Sequence, residues 1–271
     1  MMQEVVPRAE ILFVSHGGGP LPLLGDPGHR EMVACLQKIA ARLHKPSAVL
    51  VVSAHWEERV ATVTSAHQPQ LIHDYYGFPE ESYHIQYPAP GDPSLAQQVG
   101  NALASAGIEN AMDASRGFDH GLFVPMKILF PQADIPCVQL SLKHNLSARE
   151  HLAIGGALAG LACEDLLVIG SGFSFHNMRA FFAPETAESL QLNAAFEEWL
   201  QETCSSEALT EAERTQRFVH WAEAPGARFC HPREEHLLPL HVCYGMAKAP
   251  CSEIFSLNIL GKRASMYLWR Q

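Results

Sequence analysis

The sequence predicts an α/β fold: a single domain over residues 1–271 with a mostly parallel central sheet flanked by helices and an antiparallel strand pair near the C-terminus. Three observations lead there. Short apolar runs rich in β-formers alternate with helix-length segments through the first two-thirds of the chain, the pattern of βαβ units whose strands are covered on both faces. Two of those runs, ILFVSH (residues 11–16) and AVLVVSAH (residues 48–55), deliver a histidine where the chain leaves the strand. No internal repeat, low-complexity tract or Ser/Gly linker divides the chain.

Residues 11–14 are the first strand. Residues 30–43 follow as a helix, with Met32, Val33, Leu36, Ile39, Ala40 and Leu43 at helical spacing. Residues 48–53 form the second strand. Residues 64–93 are rich in Pro, Gly, Tyr and His without a period, and a loop that long inside a compact domain is usually functional. Residues 93–106 read as a helix, with Asp92 as N-cap, Pro93 at its first position and Gly107 as its stop. A strand at 137–142 precedes a helix at 147–162, which opens with the capping box Ser147-x-x-Glu150, and the next strand is 166–169. Two polar amphipathic helices span roughly 185–204 and 207–221. Residues 234–247 read as helical, with Pro239 disturbing the first turns. Residues 253–257 and 264–269 read as antiparallel strands turned by LGKR.

Composition narrows the function. Hydrophobic residues at 47% and charged residues at 18% describe an ordinary globule. A formal charge of −10 with no basic stripe argues against a nucleic-acid or anionic-membrane partner. No run is apolar for long enough to span a bilayer; the nearest, LAIGGALAGLAC at residues 152–163, reads as a buried helix. The segment MMQEVVPRAE has neither the basic start nor the apolar stretch of a signal peptide, so a cytoplasmic location is expected. Seven cysteines lie at positions 35, 137, 163, 204, 230, 243 and 251. The number is odd and no pair has C-x2-C spacing, which points to reduced, buried thiols rather than disulfides or a thiolate zinc site. The sequence gives no reading of oligomeric state.

Histidine is the unusual count, 15 residues against 19 Lys and Arg together. The glycines of SHGGGP (residues 15–20) match neither phosphate-loop pattern, with prolines where a helix would have to start; they let the backbone turn sharply beside a bound group. VIGSGFSFH (residues 168–176) has no serine with the glycine spacing of a nucleophile elbow. A metal reading is stronger. Ligands of open α/β sheets gather outside the carboxyl ends of the strands, where His16 and His55 sit. His176 follows a third strand, and His236 lies in EEHLLPL beside Glu234 and Glu235. Imidazole suits Zn, Fe, Ni and Cu. A lone histidine is more often a core or surface residue; four at predicted loop entrances form a set.

The motifs SHGGGP, VVSAHW (51–56), IHDYYGFPEESYHIQYPAPG (72–91), RGFDHG (116–121), IPCVQLSL (135–142), GSGFSFHNMR (170–179) and EEHLLPLHVCYG (234–245), in this order over almost the whole chain, resemble the class III extradiol ring-cleavage dioxygenases. These form the LigB superfamily, and the likeness is to its 4,5-DOPA dioxygenase extradiol group. The resemblance implies a LigB-like fold and an oxidoreductase that inserts both atoms of O2 into a DOPA-like catechol. It implies one divalent metal ion per chain: Fe(II) for activity, with Zn able to occupy the site in purified protein. His16 and His55 match two metal ligands and His236 the third, with Glu235 a minor rival. His176 matches a group seen as a fourth ligand or as an acid/base, and His120 a catalytic histidine facing substrate and oxygen. The family's usual SHGSP is one residue longer here, which puts the shape of that loop, though not His16, in question.

Three protein ligands on one face would leave positions for two catechol oxygens and dioxygen. His120 and His176 would exchange protons with the substrate, since histidine titrates near neutrality. Tyr75 to Pro79, with Tyr83, His84 and Tyr87, either wall an aromatic substrate or pack a long loop. Asp74 and Asp119 either orient neighbouring histidines or serve as turn residues. His29, His44, His67, His144, His151, His220 and His241 read as core or surface, and His73 and His231 stay open. Two other readings fit the histidine set: a mononuclear zinc hydrolase, and a metal-binding protein of this fold without turnover. Against the first, no H-E-x-x-H pattern is present; against the second, holding a metal needs neither His120 nor His176.

Overall fold

The computed structural model describes residues 10–161 and 165–270. Residues 1–9 of the opening segment read for a leader, Ala162 at the end of the helix expected over 147–162, and Cys163 of the apolar run 152–163 lie outside them. The strands are β1 (Glu10–Ser15), β2 (Ala48–Glu58), β3 (Ala61–Thr64), β4 (Asn110–Asp113), β5 (Cys137–Lys143), β6 (Leu166–Gly172), β7 (Glu253–Ile259) and β8 (Lys262–Arg270). The helices are α1 (Arg30–Ala40), α2 (Pro93–Ser105), α3 (His120–Leu129), α4 (Ala148–Leu158), α5 (Met178–Phe182), α6 (Ala187–Ser205), α7 (Glu211–Val219), α8 (Ala227–Cys230) and α9 (Leu238–Ala247).

The strands join in one eight-stranded sheet, ordered β4-β3-β5-β2-β6-β1-β8-β7. Its middle, β5-β2-β6-β1, is parallel. These strands are buried along most of their length, and β6 at every residue, as a central strand covered on both faces must be. The C-terminal pair adds on antiparallel, with Leu12 of β1 opposite Leu268 of β8. Its turn is tighter than expected: Leu260 and Gly261 both have positive φ, the two-residue hairpin geometry that matches strand twist, and Lys262 already belongs to β8.

The remaining differences have local causes. β3 and β4 extend the other edge and were not expected; each has four residues, too short for an alternating pattern to stand out. α3 was not expected either, because its sequence HGLFVPMKIL is apolar all round and carries Pro125 in its interior. α9 starts at Leu238, not 234, so Pro239 falls in the first turn, where no intrahelical N–H is needed. His236 therefore lies in the turn before the helix. Ser147 caps α4 through the Glu150 N–H, but the Glu150 carboxylate turns to Lys143 and Asn145 instead of closing the box. Full capping boxes occur at Thr186 and Thr210.

α4 and α9 cross at van der Waals contact of their backbones. A Cβ on Gly155 would stand 2.1 Å from the Val242 carbonyl oxygen, so only glycine allows the approach. Cysteines 35, 137, 204, 230, 243 and 251 are free, five of them buried. Among the described residues, no helix is long and apolar enough to cross a membrane.

Candidate metal centre

The parallel order of β5-β2-β6-β1 sends β1, β2 and β6 out at one edge of the sheet, and the histidines gather there. His16 is the first residue after β1, pinned by its N–H to the Gly172 carbonyl at the end of β6. The β2 strand continues past the expected end at Ser53 to Glu58, and its register against β5 shifts between Val52 and Glu57. His55 sits in that irregularity, where the His55 N–H donates to Ser53 Oγ. Such bulges re-aim side chains at the rims of sheets. His236 is held by its carbonyl, which accepts the Phe173 N–H at 2.9 Å. A Cβ on Gly172 would lie 2.1 Å from that oxygen, so the glycine makes the contact possible. His176 is fixed through its N–H to the Cys230 carbonyl, and His120 opens α3.

One ring nitrogen each from His16, His55 and His236 falls within 4.8 Å of the others, a group able to hold a metal ion. His16 Nε2 and His55 Nε2 are 3.0 Å apart. Two nitrogens at right angles around one cation, each at about 2.1 Å, would be about 3.0 Å apart, so the spacing fits. The outward nitrogens are engaged: His16 Nδ1 by Ser171 Oγ at 3.0 Å and His236 Nδ1 by Glu235 Oε1 at 3.1 Å. Fixing Nδ1 as the donor leaves Nε2 as the lone-pair nitrogen. Asp74 Oδ2 stands 3.8 Å from His55 Nδ1.

The rings are held neutral, as ligands must be. Burial, then the neighbouring imidazoles, push His16 and His55 well below the usual histidine range. Burial and the nearby His176 bring His236 down to about 3, against an opposing pull from Glu235. Glu235 resists its own burial because His176 and His236 both donate to it, and it stays well below the ordinary carboxylate range. It is thus an anion beside His176 and His236.

His120 and His176 flank this trio differently. The His120 ring centroid is 3.8 Å from that of His55. Asp74 Oδ1 accepts from both the backbone N–H (3.0 Å) and Nδ1 (2.8 Å) of His120, so Nε2 is again the free nitrogen. His176 stacks on His236 with centroids 3.4 Å apart, and its Nδ1 is 3.2 Å from Glu235 Oε1. His176 falls outside the His16–His55–His236 group and shares a second one with Glu235 and His236. A cavity of about 480 Å³ opens beside it, lined by Asn177, Arg179, Arg233 and Glu235 among others.

Of the two aspartates, Asp74 meets a histidine and Asp119 does not. Asp119 is buried and takes hydrogen bonds from Ser53, Arg116 and Gln139. Burial and the nearby Asp74 raise its pKa. In the long loop, Tyr75 sets its ring 5.8 Å from His120 and packs on Phe78, Tyr83 and Phe123. Tyr87 turns inward to the Phe130 carbonyl, while Tyr76 and His84 face outward. His73 packs on Tyr75 and Phe123.

His44, His67, His144 and His220 are exposed, and His151, His231 and His241 are interior. His29 is a core residue, but one that lies close to the edge carrying His16. It is fully buried under the glycine loop, with Nδ1 on Asp26 and Nε2 accepting the Gly18 N–H at 2.9 Å. Gly17, at φ +83°, would put a Cβ 2.7 Å from that ring. The glycines after His16 therefore turn around His29, and the D-x-x-H spacing of Asp26 and His29 was the signal for it.

The family described as the catalytic LigB subunit of aromatic ring-opening dioxygenase matches residues 12–263. Dioxygenase tasH of Hapsidospora irregularis is 39% identical over 259 residues, covering 88% of this chain and 78% of that protein. The 4,5-DOPA dioxygenase extradiol of Beta vulgaris is 36% identical, covering 88% and 87%. A crystal structure of an uncharacterized protein from Escherichia coli K12 superposes with a TM-score of 0.75 at 27% identity, over 97% of this chain and all of that one. With that fold, and a histidine cluster at the ligand-binding edge of its sheet, the chain belongs to the LigB family of aromatic ring-opening dioxygenases and is an extradiol dioxygenase.

Proposed function

We propose that the chain opens the ring of a DOPA-like catechol with O2, using one Fe(II) held by His16, His55 and His236. The observation that carries this is the convergence of three neutral imidazoles on one point, with a fourth, His120, facing them on a carboxylate tether. Iron bound there would supply positions for the catechol oxygens and dioxygen and a path for electrons between them. The protein's own part is positioning and proton transfer. Neutral ligands leave the cation's charge uncompensated, so a catecholate is favoured over a neutral catechol.

His120 takes the catechol proton at Nε2, because Nδ1 is committed to Asp74, whose anion stabilises the imidazolium that forms. The imidazolium so formed would hold that proton at Nε2 and could return it to an oxygen atom during ring opening. Such acid–base help contributes about 10²–10⁴-fold. His176, held by Glu235 beside the open cavity, is a second group able to move a proton or to ligate. Tyr75, with Phe78 and Tyr83 behind it, forms an apolar wall that keeps water from the ring-opening side.

The test is anaerobic reconstitution of the apo-protein with Fe(II), addition of a panel of catechols, and admission of oxygen. Oxygen uptake matched by a yellow ring-opened product is expected. Oxygen-independent ester or amide hydrolysis with Zn, or no turnover with any catechol, would sink the reading.

A further inference from the structure

We infer that Ser171 is a positioning residue that presets the tautomer of His16 before metal binds, and that it can do so because Pro125 interrupts α3; this rests on the reading of His16 as a ligand. In a regular helix the N–H of residue 125 would donate to the carbonyl of Gly121, four residues back. Pro125 has no N–H, so that carbonyl, buried at the first turn of α3, must find another donor. It takes the hydroxyl of Ser171. A carbonyl oxygen only accepts, so the Ser171 proton is committed to Gly121.

His16 Nδ1 lies 3.0 Å from the same Oγ, which has only lone pairs left to offer. Nδ1 must therefore carry the ring proton. Nε2 is left bare, and it is the nitrogen that meets His55 Nε2. The arrangement has little room to relax. Ser171 is fully buried in β6, with Val14 of β1 and Ser53 of β2 on either side of it. A Cβ on Gly121 would lie 2.4 Å from Ser53 Oγ and 3.3 Å from His55 Cδ2, so α3 is pressed onto β2 with its carbonyl over Ser171. A serine that merely filled a polar gap would not need its proton directed away from the histidine.

The experiment reads tautomers and metal affinity, not turnover. Long-range ¹H–¹⁵N spectra of the metal-free wild type should show His16 protonated at Nδ1, and Zn(II) titration should shift its Nε2. Ser171→Ala should mix the tautomers and weaken Zn(II) binding, measured against a competing chelator, about 10–100-fold, the usual cost of losing a partner behind a ligand. Pro125→Ala restores a donor to Gly121 and frees the serine proton. It should raise Tm while weakening Zn(II) binding by a smaller factor, a combination that general damage to the fold would not produce. A metal-free His16 protonated at Nε2, or Ser171→Ala binding zinc as tightly as wild type, would overturn the inference about Ser171 alone. No shift at His16 on zinc addition would overturn the ligand reading and this inference with it.

Discussion

His16, His120 and His236 at the sheet edge and His151, His231 and His241 in the interior are all buried, none more than 4% exposed. What separates them is the partner of the ring. The interior rings donate to main-chain carbonyls: His151 Nδ1 to Ser147, His231 Nε2 to Ser174 and His241 Nε2 to Phe218. The edge rings give Nδ1 to a side chain, Ser171, Asp74 or Glu235, and lie ring to ring with other imidazoles, their Nε2 free of main-chain partners. A main-chain partner makes histidine a peg between elements, whereas a side-chain acceptor behind Nδ1 selects a tautomer and presents a nitrogen. His29 stands between the two sets, with a carboxylate on Nδ1 but Nε2 spent on holding Gly18.

The sharpest way to break this comparison is to remove a ring from each set. His236→Ala or His16→Ala should abolish measurable metal retention and turnover while leaving a folded protein, read by metal analysis and circular dichroism; retained stoichiometric metal would place the centre elsewhere. His120→Ala should lower kcat by about 10²–10⁴-fold with metal content unchanged. Asp74→Asn should move the same way by less, since it loosens the ring without removing it.

Burial lowers the rings of both sets, so acid titration tests what they share, a neutral ring built into the fold. Burial lowers His151 and His241 to about 4 and His231 to about 3. These rings bind protons in the unfolded chain before they do so in the fold. Their contribution is complete above the unfolded value near 6.5 and is lost as pH falls from there towards 4, or towards 3 for His231, on the order of 3 kcal/mol for each. Glu197 has the opposite sign. It is fully buried, with Ser265 donating to Oε2, and burial raises it to about 7. Its stabilisation is present below the unfolded value near 4.5 and fades as pH rises through 7. Glu197→Gln should therefore gain stability relative to wild type between pH 5 and pH 8, by chemical denaturation, and a constant difference would refute the assignment. Last, His241→Leu should cost about 1–3 kcal/mol by leaving the Phe218 carbonyl unpaired, with zinc affinity of the folded protein unaltered.

The comparison also marks how far the sequence could be read. The central strands and their histidine-bearing ends were legible because apolar runs covered on both faces leave an unmistakable pattern. His16 and His55 follow from strand ends alone, and the resemblance supplied roles for His120 and His236. What escaped depended on contacts between distant segments. Nothing local in FDHGLFVP tells that Pro125 frees a carbonyl for Ser171. Nothing near His29 except Asp26 tells that the ring lies under a glycine loop. Glu235 was read as a minor rival ligand, and the structure places its carboxylate against the Nδ1 atoms of both His236 and His176, contacts that need the direction of three side chains.

The Leu260–Gly261 hairpin tip reaches back across the molecule. The Leu260 N–H donates to the Gly28 carbonyl, next to the His29 that props the loop after His16, while β8 occupies one flank of β1 and β6 the other. A histidine translated early thus depends on segments translated long afterwards. During synthesis β1 must wait with both flanks bare, and such distant pairings form slowly. Any ion that settles in the pocket does so after the hairpin has been made, and a nascent chain stalled before it would expose an aggregation-prone strand in place of a binding site.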